Sequence, residues 1–405
     1  MQSLPSPNQN IAQPASAAQR KVLVYNPDYH GKKFGKLWVL GPNYRANYDK
    51  FQEGIKEKAL VHVLCNSQCL RSAIMGAIGD METQVRAAYA DDVLDGLTSD
   101  VVQEIMVVDG CFFLLLSFSI LGAKLKFPEN DLVFGTGCVT EYMGMWLESM
   151  FFVGNQIPFI VLEKLMDLSF FKVLKQTLKC KQPLELGKRT LHKFLIVDQN
   201  SKPMDLIHCL QSIMLGPEGR SNIGVAKKDD DIGDIGTATK LCKHGVKIRK
   251  LEGDLGIRGM RYESNAFGAV LYLPVLRVDR HTGLLLRCLL KYEIAQEPQG
   301  VEPEVITFFK FIRELIHTTQ DREVLESEEV VQGQSTDLLG LLGTLDVLVS
   351  SGNMHSIKRE IVGNRPWQWR KPLKWMFIIS SILTLAFGFM QMYYGILSYY
   401  NQGKP

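Results

Sequence analysis

Charge imbalance, paired cysteines and catalytic signatures are all scarce in this 405-residue sequence. The net charge is +3, from 46 Lys and Arg against 43 Asp and Glu. That excludes a nucleic-acid protein working through bulk charge, so any basic function must come from local clusters. The eight cysteines are scattered, several of them inside apolar runs. A secreted disulfide scaffold is denser and shorter, so they read as reduced, mostly buried thiols. Only Cys65 and Cys69 are closely spaced, and no second Cys/His pair accompanies them as a structural zinc site requires. Residues 1–19 carry neither a basic n-region nor an apolar h-region, so no secretory signal is expected. Their Pro, Gln, Ser and Asn content predicts a disordered tail over residues 1–20.

Charge is wholly missing from Trp375 to Gly403. WMFIISSILTLAFGFMQMYYGIL, residues 375–397, is long enough as a helix to cross roughly 30 Å of hydrocarbon. Trp375 stands at one edge and Tyr393, Tyr394, Tyr399 and Tyr400 toward the other, as interfacial aromatics do. The preceding segment, 354–374, holds Lys358, Arg359, Arg365, Arg370, Lys371 and Lys374 against Glu360 alone. Arg370, Lys371, Lys374 and Trp375 flank the span, and this collar places the N-terminal body in the cytosol. The expected arrangement is tail-anchored, on the plasma membrane or an endomembrane, with residues 398–405 as a short tail and membrane lipid as partner. A second apolar run, Val107 to Ala123, is interrupted by Asp109 and Gly110, and its clean part suits a core helix better than a span.

The expected fold is mainly α: a multi-helix body over residues 21–353 with a small β element, followed by one transmembrane helix. Helical stripes run through 48–67 (Phe51, Ile55, Ala59, Val63) and 70–88 (Leu70, Ile74, Ala77, Met81, Val85). Thr98, Ser99 and Asp100 are N-cap candidates for the apolar stretch that follows. Further helices are expected over 139–153, 159–178, 203–215, 237–244, 282–295, 302–317 and 336–349. Residues 216–236 read as a flexible, Gly-rich polar loop. VKIRKL (246–251) and GAVLYLPVLRV (268–278) read as strands, with Pro274 marking an edge or an end.

Recognisable chemistry is missing. Gly187-Lys188-Arg189 lacks the rest of a phosphate-binding loop, and Gly135-Thr136-Gly137 is a lone GxG. No nucleophile elbow and no HExxH zinc motif occurs. His208 and Cys209 sit in an apolar helix as a satisfied core pair would. The basic stretch 243–250 is the best nucleic-acid candidate, yet a solvated strand edge explains it more simply. No nucleic acid, cofactor or metal is therefore expected. Asp109, set among Val107, Val108, Cys111 and Phe112, is costly to bury unless paired or hydrogen-bonded. Asn155 and Gln156 precede Pro158, which suits a helix start. They read as the junction between two helices, their amides serving the carbonyls of one and the N–H groups of the other.

These blocks carry a resemblance. Asp109-Gly110-Cys111-Phe112, then Asn155-Gln156-Ile157-Pro158-Phe159, Gly245-Val246-Lys247 and Leu273-Pro274 occur in the order of the plant family called domain of unknown function 247. Leu40-Gly41-Pro42 and the C-terminal span resemble it too. Gly154, Leu116 and Ser117 stand where that family usually has acidic residues, so the chain resembles a divergent member. The resemblance implies a plant-specific, mostly helical, membrane-anchored protein without established catalysis. Some grass members are associated with pollen self-incompatibility, which implies recognition of a protein partner. The competing expectation is a membrane-tethered enzyme using Asp109, with Asn155 and Gln156 positioning its substrate.

Overall fold

A computed structural model describes residues 38–44, 50–90, 93–178, 185–196, 203–217, 235–253, 255–265, 268–279, 281–296, 303–333 and 366–401. The expected tail over 1–20, the helix over 336–349, most of the loop over 216–236, residues 354–365 of the basic segment and residues 402–405 lie outside them. The fold is mainly helical with small sheets. Two compact units divide the chain: residues 1–211 with 281–302, and residues 212–280 with 303–405.

The first unit is organised by α4 (Ser99–Ile120). Every residue from Ile105 to Phe118 is buried, Asp109 and Ser117 included. A helix apolar on all sides belongs at the centre of a core, and 83% of its most apolar window is buried. Thr98 occupies the N-cap with extended backbone, and Asp100 sits in the first turn, where the helix dipole favours an anion. Helices α1 (Lys50–Ser67), α2 (Arg71–Gly79), α3 (Glu82–Ala88), α5 (Cys138–Glu141), α6 (Met143–Phe151) and α7 (Phe159–Leu165) pack on α4. Helix α8 (Ser169–Thr177) packs on α1, and α12 (Thr282–Gln296) packs on α6 and α9 (Leu186–Leu195). Helix α10 (Leu206–Leu215) begins in this unit.

Three stretches expected as single helices are each broken in two. The 70–88 stripe divides at Asp80–Met81, 139–153 at Tyr142, and 159–178 at Met166–Leu168. Each break is so short that the apolar period carries across it, which hides it from a periodicity argument. At the third, Leu168 turns extended (ψ 137°) and the helix restarts at Ser169. The α1 stripe is also displaced: Phe51 is exposed, and the buried face is Lys56, Ala59, Leu60 and Val63.

In the second unit, β1 (Val246–Lys250) is an edge strand running parallel to β3 (Gly268–Leu273). The antiparallel β2 (Arg261–Asn265) lies on the other side of β3. The stretch expected as one strand over 268–278 ends at Pro274, which has no N–H to continue a ladder. Beyond it β4 (Leu276–Val278) pairs in parallel with β5 (Val331–Gly333). Helix α11 (Ala238–Lys243) is N-capped by Thr237, and α13 (Glu304–Leu315) matches the expected helix there. Helix α14 (Thr319–Ser327), missed in the sequence, starts from a capping box of Thr318 and Asp321. The basic charges of β1 have partners distant in sequence: Arg249 pairs with Glu328 and Lys250 with Glu329. Residues 366–401 form one 36-residue helix, α15.

Candidate functional site

The Asp109 and Asn155 blocks of the sequence meet at a short buried segment, Trp38–Gly41. Its backbone is not in a regular element, and Trp38, Val39 and Leu40 are all buried. No water reaches such a segment, so each N–H and C=O needs a protein partner. Side chains supply them for the four N–H groups and for the Trp38 and Val39 carbonyls. The Trp38 amide donates to Ser149 Oγ (3.0 Å) and the Val39 amide to Gln52 Oε1 (3.2 Å). The Val39 carbonyl accepts from Lys56 Nζ. Asn155 Nδ2 donates to the Trp38 carbonyl (2.8 Å) while Asn155 Oδ1 accepts the Leu40 amide (2.6 Å). One carboxamide thus takes the C=O of residue i and the N–H of residue i+2, as a neighbouring strand would. The Gly41 amide donates to Asp109 Oδ2 (2.9 Å).

Asp109 is the centre of this cluster. Its other oxygen, Oδ1, lies 2.7 Å from Lys56 Nζ, and the two side chains are 1% and 0% exposed. A buried ion pair survives when its remaining lone pairs and protons are also satisfied, and here Gly41 and Val39 complete both ions. The partner is a lysine on α1, 53 residues before Asp109 in the chain, which sequence reasoning missed. Gly41 adopts φ +74°, and a Cβ there would sit 2.8 Å from the Gln156 carbonyl oxygen. Gly110 permits another close approach, since a Cβ would lie 2.5 Å from Leu165 Cδ1 on α7.

The Asn155–Gln156 junction is half as expected. The amides do serve the end of the preceding helix: Asn155 Nδ2 donates to the Ser149 carbonyl (2.7 Å), and Gln156 Nε2 to Met150 (2.6 Å) and Phe152 (3.0 Å). They do not serve the N–H groups of α7. Val161 and Leu162 return to the Pro158 carbonyl, and Phe159 donates to Met204 (2.7 Å). The acceptor of Asn155 is used on Leu40 instead, and Gln156 Oε1 has no hydrogen-bond partner among the described residues. The Tyr89 hydroxyl donates to the Gln156 carbonyl (2.9 Å). Phe112 stacks on Trp38 at 5.1 Å, and Phe159 meets Phe194 edge-on at 4.8 Å. Burial pushes the Cys111 thiol far above its ordinary range, which makes it inert.

Arg370, Lys371, Lys374 and Trp375 lie in the first turns of α15. His208 and Cys209 form no nucleophile–base pair: His208 Nδ1 accepts from the Met204 amide, and Cys209 Sγ faces the Thr190 carbonyl. Among the described residues no group of three or more His, Cys, Asp or Glu could hold a metal ion.

A second buried carboxylate escaped the sequence. Asp205 accepts the His208 amide at 2.8 Å, and burial pushes its carboxyl up to about 6 against the pull of the His208 and Ile207 amides. A folded-state value above the unfolded one, about 3.9, means that the native protein binds the extra proton between those limits. Stability from this group is full below about pH 4 and is lost as pH rises through about 6. Asp205→Asn is expected to flatten the urea midpoint between pH 4 and 7 relative to the parent; an unchanged slope would contradict this. The linkage is worth at most about 3 kcal/mol.

The site therefore binds the protein's own backbone, through the Asp109–Lys56 pair, the Ser149 hydroxyl and the carboxamides of Gln52, Asn155 and Gln156. No curated protein and no solved structure matches the chain. One family does, described as a plant protein of unknown function, and it matches residues 35–387, from just before the buried segment to within α15. That span holds Gly41, Lys56, Asp109, Asn155 and Gln156 together, and the chain accordingly belongs to the plant family called domain of unknown function 247.

Proposed function

We propose that the protein is held on a membrane by α15 and that its cytosol-facing helical body acts by recognising a protein partner. The observation that carries the membrane part is the surface of α15. Its large apolar side chains from Ile378 to Ile396 are each 47–66% exposed. An apolar surface of that extent is unfavourable in water, whereas a helix meets both the hydrocarbon and its own backbone hydrogen bonds inside a bilayer. The basic residues Arg370, Lys371 and Lys374 at its start favour a cytosolic body.

Recognition is supported by what the polar cluster is used for. Asp109 is engaged by Lys56 and Gly41 and is 1% exposed, so a substrate would have to displace native hydrogen bonds to reach it. The enzyme reading thus has no accessible acid at this position. The association of some grass members of the family with pollen self-incompatibility points the same way, toward discrimination between partner proteins.

Two charges in the middle of the span test the anchor. On insertion scales each arginine at a helix centre costs about 2.5–3.5 kcal/mol. The full chain carrying Ile382→Arg and Phe389→Arg is expected to leave the carbonate-resistant membrane fraction, in which the parent remains. Retention of the double variant there would refute anchoring through α15. Proximity labelling from the tagged full chain in plant tissue tests the recognition half, and fails it if no protein is enriched over a membrane-only control.

A further inference from the structure

We infer that the first unit carries a docking pocket for a partner segment that presents one large apolar side chain beside a carboxylate. The inference deepens, and rests on, the recognition reading above. Ile55, Phe127, Pro128, Leu132 and Phe134 line a surface cavity of about 210 Å³ between α1 and the loop after α4. That is below the size of drug-sized ligand sites, and suits a single anchoring side chain of the kind that dominates protein interfaces.

The surroundings are built for apolar contact rather than hidden from it. Leu132 on the loop is 66% exposed, and Phe51, one turn before Ile55 on the same face of α1, is 58% exposed. Phe127 is locked in place: its ring stacks on His62 at 4.0 Å and on Phe134 at 4.6 Å. Lys126, just before it, takes φ +60°, a left-handed conformation that a lysine seldom adopts and that functional loops often hold. The two ring contacts hold Phe127 in the wall, which limits the ordering cost of binding at that residue.

Charge selects the occupant. The lining contains two ionic groups, Lys58 and Asp131. Asp131 Oδ1 already accepts the Val133 and Phe134 amides at 2.9 and 2.8 Å, closing its own turn. Lys58 is exposed and has no ion pair among the described residues. A helix face reading Phe51, Ile55, Lys58 (i, i+4, i+7) thus offers an apolar anchor point with a cation next to it, complementary to an apolar residue followed or preceded by Asp or Glu.

A random peptide library displayed on phage and selected on the full chain in detergent micelles tests this. The selected peptides are expected to carry Leu, Phe or Trp within two positions of Asp or Glu. A synthetic peptide of that sequence should lose at least ten-fold in affinity for Leu132→Asp and for Lys58→Glu, both exposed positions whose replacement leaves the core intact. Binding to Lys58→Glu should return when the peptide's acid is exchanged for Lys, a rescue that a merely structural effect does not produce. Failure to select any peptide, selection without the apolar–acidic pair, or undiminished binding to both variants overturns the proposal. Self-association of the full chain that disappears in Leu132→Asp also overturns it, by giving the pocket to a second copy. None of these outcomes touches the recognition reading, which stands or falls on the labelling experiment.

Discussion

Lys56→Met is expected to lower the free energy of unfolding by about 3–5 kcal/mol, the usual cost of stranding one member of a buried ion pair. The Asp109 carboxylate would keep only the Gly41 amide, and the Val39 carbonyl would lose its donor. Both groups are sealed from water, so solvent cannot replace the lost partner. Asp109→Asn should cost less, because an amide oxygen can still accept from Gly41, though Lys56 then remains charged without its counter-ion. The double variant Lys56→Met with Asp109→Asn is expected to be more stable than the sum of the two changes by about 0.5–3 kcal/mol, the range found for residues in direct contact. Trp38 and Trp146, whose rings lie 5.1 Å apart beside the cluster, offer a fluorescence reading of unfolding in urea. Strictly additive changes would mean that Lys56 and Asp109 act independently and that the pair is not what holds the segment. Domains of ordinary stability have only about 5–15 kcal/mol in hand, so the single variants should also accumulate poorly in cells.

The central helix was legible because an all-apolar run of its length has only two homes, a core or a bilayer, and Asp109 and Gly110 argued for the first. The β element was legible from the alternation in 246–251 and from Pro274. The helix breaks were not, since the burial of Leu165, Phe171 and Leu174 continues one apolar period across the gap at 166–168. The site was half legible. Asp109, Asn155 and Gln156 stood out as polar residues in apolar surroundings, yet their partner could not, because Trp38–Gly41 lies 68 residues from Asp109 and 115 from Asn155 at its closest bonds. Lys56 was hidden for a different reason. A lysine on an amphipathic helix is ordinarily solvated, and nothing local marks the one that turns inward. The same logic kept Asp321 from view: burial alone would raise its carboxyl, but hydrogen bonds from Thr237, Thr239 and Thr318 hold it well below the usual carboxylate range. The Thr239 amide on Oδ1 (2.9 Å) and the Thr318 hydroxyl on Oδ2 (2.8 Å) reveal it as the clasp between α11 and α14.

Asn155→Ala should be the most damaging of the neutral substitutions, at about 3–5 kcal/mol. It orphans the Trp38 carbonyl, the Leu40 amide and the Ser149 carbonyl at once. Each buried group left unsatisfied costs about 1–3 kcal/mol, and the three share one side chain, so their costs overlap rather than add in full. Gln156→Ala removes two donor contacts from an amide whose oxygen already has no partner among the described residues. Its cost should be smaller, about 1–3 kcal/mol. Asn155→Asp separates geometry from chemistry. The side chain keeps its shape and can still accept from Leu40, but it turns two donor contacts into carboxylate–carbonyl repulsions and adds a second buried negative charge beside Asp109. It should therefore destabilise at least as much as alanine. In all three variants the amide of Leu40 should exchange with solvent hydrogen faster than in the parent, most of all where Asn155 is changed. The order Asn155→Asp ≥ Asn155→Ala > Gln156→Ala is what a side chain standing in for a missing strand requires. An Asn155→Ala protein with the parent's midpoint and a protected Leu40 amide, but without its partner binding, would instead make this carboxamide part of a recognition surface.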